Sequence, residues 1–174
     1  MLISLSEIMS VPNQTKRMEI PVEMADFLMD GVKYEFVSKP PFELAVTNLG
    51  ERRVKLEGGM KIVLNIPCSR CLEDVQVDFD IEIDEEVDFK QLEEDPDQLD
   101  EKTYITGYNL DVERLIYNEM LIGFPLQTLC KEDCRGICKV CGVNLNRETC
   151  SCDQTVQDPR MAAFQNIFDQ FKEV

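Results

Sequence analysis

The chain has no histidine and no tryptophan among its 174 residues. Histidine is the side chain that most often carries protons near neutral pH, so its absence excludes Cys–His and Ser–His nucleophilic sites. The sequence contains neither a phosphate-binding P-loop nor a GxGxxG dinucleotide motif. Its aromatic residues form no evident row on which nucleic-acid bases would stack. We therefore expect a protein that is not an enzyme.

The sequence predicts neither a membrane span nor a secretory leader. The first ten residues, MLISLSEIMS, have no basic start, and Glu7 interrupts their short apolar run. No stretch approaches the roughly 18 apolar residues that a spanning helix needs. We expect a cytoplasmic protein whose partner is neither a membrane nor a small-molecule substrate. In that compartment clustered cysteines more often bind metal than form disulfides.

The formal net charge of −16 at pH 7 is unevenly distributed along the chain. Residues 72–101 contain fifteen acidic residues and one base, Lys90, whereas residues 44–71 carry a small excess of bases. So acidic a chain is expected to repel RNA phosphates over most of its surface. An acidic run is most often a solvated face, and the partner that it attracts is a basic protein.

Strict alternation of apolar and polar residues predicts β-structure on both sides of one CxxC pair. Segment 75–83, VQVDFDIEI, alternates without error, and segment 60–66, MKIVLNI, precedes it. A hairpin that pairs Ile66 with Val75 turns the apolar side chains of both segments to one face. The intervening CxxC pair then lies at the tip of that hairpin.

Glycine, proline and charge patterns predict where other elements begin and end. A three-residue hairpin loop is predicted at Gly58-Gly59-Met60, because it pairs Leu56 with Ile62 and leaves one face of the hairpin apolar. The acid-rich residues 84–103 predict an exposed loop. A helix is expected over 110–122, and Asp158-Pro159 is expected to begin a last helix near the C-terminus.

These elements predict an α+β fold. It consists of an antiparallel β-sheet or partly open barrel, a few packing helices and a C-terminal cysteine-rich metal-binding segment. We expect residues 1–125 to form the β-rich domain, which includes the acidic loop and the 110–122 helix. Residues 126–174 are expected to carry the cysteine-rich zinc-binding segment and the last helix, packed on the same domain.

The chain has eight cysteines, and six of them fall in one short window. The surest pair in that window is Cys138-Lys-Val-Cys141-Gly142, in which the glycine permits a tight turn and both sulfurs can face one ion. Cys150 and Cys152 supply a second pair shortly afterwards. We expect these four thiolates to bind one structural zinc ion, which favours four sulfurs in a tetrahedron; iron in a rubredoxin-like site is less favoured.

Four further cysteines leave the exact ligand set open. Cys130 and Cys134 are alternative ligands that would replace Cys150 or Cys152. The pair at the hairpin tip, Cys68 and Cys71, is a candidate half of a second site. It would be completed by Cys130 and Cys134 if the tip folded against the window.

A redox-switched holdase or stress-response protein is a different class of function that fits the same cysteines. In such a protein oxidation of CxxC and CxC thiolates ejects zinc and frees a binding surface. Four bases in the window, Lys131, Arg135, Lys139 and Arg147, would lower the thiol pKa values and favour this chemistry.

Several motifs follow one another in a specific order. The β-rich half contains PCSRCLEDV, and after the acidic stretch come MLIGFPLQTLC, CKEDCRGICKVCGVNLNRETCSC and a closing DPRMAAFQNIF. Over residues 40–170 this order resembles the YceD family, the large ribosomal RNA subunit accumulation proteins of bacteria and plastids. The resemblance implies a role in the accumulation or processing of large-subunit ribosomal RNA, and it implies no catalytic residue.

The resemblance also bears on the cysteines. By motif, Cys68 and Cys71 fall on the CxRC element of the family, and the six window cysteines fall on a tail that only part of the family carries. Asp158, Pro159 and Arg160 match its closing DPR. The metal is therefore expected to stabilise this branch of the family rather than to be its shared mechanism.

Two partners are compatible with such a role. In the first interpretation the acidic segment 72–101 holds a basic ribosomal protein, and we favour this one. In the second, pre-ribosomal large-subunit RNA contacts the cysteine window and a local basic patch, which comprises Arg52, Arg53, Lys55, Lys61 and Arg70.

Overall fold

The computed structural model describes residues 1–94 and 102–152. Within these ranges the chain forms antiparallel β-strands, three helices and a cysteine-rich segment, which confirms the predicted α+β class. The last helix, predicted to begin at Asp158, lies outside the described residues. No helix in the described part of the chain is long and apolar enough to cross a bilayer.

The strands form two antiparallel sheets. The first has the order β1-β9-β8, and the second has the order β2-β5-β6-β4-β3 with β7 paired to β6. The strands are β1 Leu2–Ser4, β2 Thr15–Ile20, β3 Asp26–Met29, β4 Val32–Ser38, β5 Phe42–Gly50, β6 Arg53–Pro67, β7 Asp74–Asp88, β8 Ile105–Thr106 and β9 Asn109–Asp111. The helices are α1 Ser6–Met9, α2 Phe89–Glu94 and α3 Val112–Gly123.

The chain divides into two compact units. Unit 1 comprises Met1–Pro67 and Asp74–Thr128, and it contains all of the strands and helices above. Unit 2 comprises Cys68–Glu73 and the chain from Leu129 onward, of which the structure describes the part up to Cys152. The hairpin tip, Cys68–Glu73, therefore groups with the cysteine window rather than with the strands that it joins.

The longest pairing in unit 1 is the hairpin of β6 and β7. It is continuous from Arg53 opposite Asp88 to Pro67 opposite Asp74, and each strand has 15 residues. The predicted pairing of Ile66 with Val75 is confirmed. A shift by one residue would turn the buried side chains of both strands to solvent, so the alternating pattern alone specifies this register.

The loop predicted at Gly58-Gly59 is wrong, because β6 runs straight through both glycines. The turn lies instead between Gly50 and Arg53, where Glu51 and Arg52 both adopt positive φ angles of 53° and 66°. Such a two-residue turn normally uses glycine or asparagine, which explains why the sequence pattern did not reveal it. Gly58 serves packing, since a Cβ there would lie 2.9 Å from the carbonyl oxygen of Glu43.

The loop predicted over 84–103 is wrong for its first half. β7 continues to Asp88, and α2 follows directly. Three apolar residues among the acids explain this, because Val87, Phe89 and Leu92 are buried in the core of unit 1. Burial of these side chains outweighs the repulsion between exposed carboxylates, which water screens. Residues 95–101 lie outside the described residues.

The helix predicted over 110–122 forms as α3, Val112–Gly123. The side chain of Asp111 accepts a hydrogen bond from the backbone N–H of Arg114 and caps the first turn. The apolar face of α3 is buried in the core, and Gly123 lies against Phe79 of β7. The buried residues of this face are Val112, Leu115, Ile116 and Met120.

Replacing Gly58 with alanine is expected to destabilise the protein by about 1–3 kcal/mol, because the new methyl group would press on the backbone of β5. Gly59→Ala is the matched control, since its nearest contact would be an ordinary 3.6 Å to the carbonyl oxygen of Ile81. Urea unfolding of both variants measures the difference. Equal stabilities would contradict the proposed packing role of Gly58.

Candidate metal centres

The eight cysteines come together in two groups of four within unit 2. Group 1 consists of Cys68, Cys71, Cys130 and Cys134, and group 2 consists of Cys138, Cys141, Cys150 and Cys152. In each group the four Sγ atoms all lie within 4.8 Å of one another. All eight cysteines are free thiols rather than disulfides.

The structure thus assigns each cysteine to one of two groups, whereas the sequence left the ligand sets undecided. Cys130 and Cys134 group with the hairpin-tip cysteines and are not members of group 2. Group 2 has the same members as the zinc site expected from the spacing of the window. Assignment of either group as metal ligands stays a prediction.

Each group begins with a CxxC turn, and the two turns have the same hydrogen bonds. In group 1 the N–H of Leu72 donates to the carbonyl of Cys68 at 3.0 Å, and the N–H of Cys68 donates to the carbonyl of Glu73 at 2.8 Å. In group 2 the N–H of Gly142 and the N–H of Cys138 make the corresponding bonds, at 2.9 and 2.8 Å. Both turns therefore hold their two sulfurs on the same side of a closed loop.

The residue after each CxxC pair has a positive φ, 63° at Leu72 and 77° at Gly142. Glycine adopts this conformation without strain, whereas leucine rarely does. This difference explains why the sequence singled out Cys138 and Cys141 as the surest pair. The equivalent turn at Cys68 and Cys71 carries no glycine signal, and only the structure reveals it.

Backbone N–H groups point at the leading sulfur of group 1. Burial raises the pKa of the Cys68 thiol, but N–H groups of Arg70, Cys71 and Cys130 point at its sulfur and lower the pKa to about 6. The N–H of Cys130 lies 3.4 Å from Sγ of Cys68. A sulfur surrounded by donors in this way is held as a thiolate, the form that binds metal.

Group 2 has the same electrostatic arrangement around Cys138. The N–H groups of Cys141 and Val140 point at its sulfur, and they lower the pKa of Cys138 to about 6. The N–H of Val140 lies 3.4 Å from that sulfur. Group 2 is more accessible than group 1, because Cys141 is exposed whereas three cysteines of group 1 are buried.

A short stretch of backbone pairing holds the two groups in place within unit 2. Ile137 forms an antiparallel bridge with Asn144, and the N–H of Ile137 donates to the carbonyl of Arg70 at 3.1 Å. Gly136 has a φ of 74°, and a Cβ there would lie 2.9 Å from that same carbonyl oxygen. Arg70 also donates from Nη1 to the carbonyl of Cys134 at 2.9 Å.

Asn146 links this scaffold to a sulfur of group 1. Its Oδ1 accepts a hydrogen bond from the N–H of Arg135 at 2.9 Å, and its Nδ2 donates to Sγ of Cys134 at 3.2 Å. Burial raises the pKa of Cys134, but the amide of Asn146 and the N–H of Gly136 outweigh it and lower the pKa. No local pattern singles out Asn146, because nothing in the neighbouring residues marks an asparagine that contacts a cysteine twelve residues earlier.

The spacing of the sulfurs fits a four-sulfur metal site. Sγ of Cys68 lies 3.8 Å from Sγ of Cys134, and Sγ of Cys71 lies 3.5 Å from Sγ of Cys130. Four sulfurs at about 2.3 Å from a central zinc ion would lie about 3.8 Å apart in a tetrahedron. A disulfide would need about 2.05 Å. The donor set, four clustered thiols whose leading sulfur accepts backbone N–H groups, therefore suits a metal ion in each group.

The predicted basic patch does not present free charges. In unit 1, Arg52 pairs with Glu93, and Arg53 lies 3.1 Å from Glu86. Lys55 bridges two acidic residues, and so does Lys61. Arg70, in unit 2, binds a backbone carbonyl. The four bases of this patch in unit 1 therefore neutralise neighbouring acids, which leaves little positive potential there for RNA phosphates.

The acids of β7 form the strongest charged feature of unit 1. Alternate residues along the strand are exposed while the intervening ones face the core. The exposed acids are Asp74, Asp78, Asp80, Glu82, Asp84 and Glu86. The bases of β6 opposite them are fewer, so this row keeps a net negative charge.

Comparison with known proteins gives one match. The family model described as large ribosomal RNA subunit accumulation protein YceD matches residues 56–168. The match begins within β6 and includes β7, α3 and all eight cysteines. No curated protein and no solved structure matches the chain.

Asn146→Ala is expected to destabilise unit 2 by about 1–3 kcal/mol, because the N–H of Arg135 and the sulfur of Cys134 would both lose a partner. Urea unfolding, followed by the rate at which the cysteines react with a thiol reagent, measures this. The exposed Thr149→Ala is the control. If both variants expose their thiols at the same urea concentration, Asn146 has no positioning role.

Proposed function

Because the chain belongs to the YceD family of large ribosomal RNA subunit accumulation proteins, we propose that it is a non-enzymatic ribosome-assembly factor. It supports the accumulation of large-subunit ribosomal RNA in the cytoplasm by binding a basic ribosomal protein. The observation that carries this proposal is the row of exposed acids on β7. A factor that holds a basic ribosomal protein until it binds RNA would support accumulation of that RNA indirectly.

The choice of a protein partner over RNA rests on charge. A chain with a net charge of −16 repels phosphates, and the bases that remain in unit 1 are largely paired with acids. A basic ribosomal protein gains favourable long-range attraction to the same surface, and this attraction raises its rate of association. Binding of this kind weakens with salt, because the charges are exposed.

We further propose that groups 1 and 2 each bind one structural zinc ion. Zinc suits four thiolates, and no open coordination position remains for a substrate or a catalytic water. The described part of the cysteine window has few large buried apolar side chains, so metal binding would supply much of its folding free energy. Group 1 would in addition link distant parts of the chain, because Cys71 and Cys130 are 59 residues apart and Cys68 and Cys134 are 66 residues apart.

Affinity purification of the tagged full-length protein from growing cells tests the function. We expect basic proteins of the large ribosomal subunit to copurify at low salt, because the acids of β7 attract them, and to be released at about 0.5 M salt, where screening is strong. Mass spectrometry and RNA sequencing of the same eluate identify both kinds of partner.

Nuclease treatment before elution is the control for this purification. If the ribosomal proteins disappear when RNA is digested, RNA is the direct partner and the proposal is wrong. Depletion of the protein in cells should lower large-subunit ribosomal RNA relative to small-subunit ribosomal RNA. An unchanged ratio would contradict a role in large-subunit assembly.

Metal analysis tests the two zinc sites separately. The wild-type protein should contain two zinc ions per chain, whereas C68S/C134S and C138S/C150S should each contain one, because each pair belongs to a different group. Elemental analysis of protein purified without added metal gives the stoichiometry and identifies the element.

The two double variants control for each other in this experiment. A single ion in the wild type, or the loss of both ions from either variant, would contradict two independent sites. Iron in place of zinc would overturn the choice of metal while the ligand sets remained valid. Retained strand content in circular dichroism would show that unit 1 stays folded in both variants.

A further inference from the structure

One edge of the longest hairpin is open. β7 pairs with β6 along its whole length, and no other strand in the described part of the chain pairs with its second edge. Residues 102–104 approach the far end of β7, where Lys102 and the hydroxyl of Tyr104 contact Glu85 at 2.6 and 2.9 Å. The open stretch therefore lies before Glu85. A strand edge of this kind presents unpaired N–H and C=O groups that can accept another strand.

A groove runs along this open stretch. Its volume is about 310 Å³, and it is lined by Asp78–Glu82 of β7 and by Glu119, Ile122 and Gly123 of α3. Both the exposed and the core-facing residues of β7 line it, so the groove follows the edge of the strand rather than one of its faces. Ile122 is 81% exposed at its border and offers an apolar contact to an occupant of the groove.

The acidic side chains along this groove favour a basic occupant. Asp78, Asp80 and Glu82 are exposed, and Lys61 is the only base within ion-pair distance of this trio in the described residues. Glu119 adds a fourth acid from α3. Extended peptides with Lys or Arg at alternate positions would place a base opposite each acid, and cross-strand pairs of opposite charge stabilise a sheet.

We propose that an extended, lysine- or arginine-rich segment of a protein partner adds to the edge of β7 as a new strand. Its backbone pairs with the edge between Asp78 and Glu82, its alternate bases face the acids, and an apolar side chain packs on Ile122. This inference rests on the proposed function, since a basic ribosomal protein supplies such a segment, and it specifies the surface and the mode of binding.

Binding of a synthetic peptide to the full-length protein tests the edge. The probe is a peptide of about seven residues with alternating lysine and valine, long enough to span the open stretch at about 3.4 Å per residue. D78K/D80K/E82K should bind it at least about tenfold more weakly, the combined effect of three lost charge pairs. The control E19K/E23K/E35K makes the same charge change at exposed acids elsewhere. If both triple variants weaken binding equally, the proposal is overturned.

Backbone methylation of the peptide distinguishes strand addition from simple charge attraction. N-methylation of alternate residues blocks one edge of the peptide, and methylation of the other set blocks the opposite edge. One of these two peptides should lose binding and the other should retain it, since only one edge faces β7. Equal binding of the two would overturn strand addition. Preferential binding of single-stranded RNA at the same site would overturn the choice of a protein partner.

Copurification from cells separates this inference from the proposed function. If the wild type and D78K/D80K/E82K capture the same basic ribosomal proteins in equal amounts, the edge of β7 is not the docking site, although the proposed function stands. If the wild type captures none, the proposed function itself fails. Circular dichroism of the triple variant verifies that loss of capture is not loss of folding.

Discussion

The pairing of β6 with β7 is the constraint on which the rest of unit 1 depends. Fifteen residues of each strand pair in one register, and the alternating apolar side chains permit no other. β5 and β4 then pair with successive halves of the opposite edge of β6. Because no strand in the described residues pairs with the second edge of β7, the hairpin also determines where the acids of this strand form an exposed row.

The cysteine-rich unit is organised around negative charge on sulfur. A chain without histidine has no neutral nitrogen ligand, so any metal site built from these groups must gather thiolates, whose mutual repulsion is large. Two CxxC turns with the same hydrogen bonds meet this need by directing N–H groups at the leading sulfur of each group. A divalent ion in each group would balance the remaining charge, which is why such a unit depends on metal more than on an apolar core.

The acidic surface reconciles an acidic protein with a family named for ribosomal RNA. Exposed carboxylates along an open strand discourage pairing with other neutral strands, which limits aggregation. In the proposed function the same carboxylates favour one class of partner, a basic polypeptide, over phosphates. Selectivity of this kind arises from repulsion of the wrong partner as much as from attraction of the right one.

Local patterns in the sequence determined the β6–β7 register, the helix α3 and the proximity of Cys138 to Cys141, because each of these depends on residues close in the chain. Tertiary structure alone decided the rest. It placed a turn at Glu51 and Arg52, passed a strand through Gly58, and buried Val87 within an acidic run. It also brought Cys71 to Cys130, which lie 59 residues apart. No local signal reports such proximity, because it results from how distant segments pack rather than from the preferences of either one.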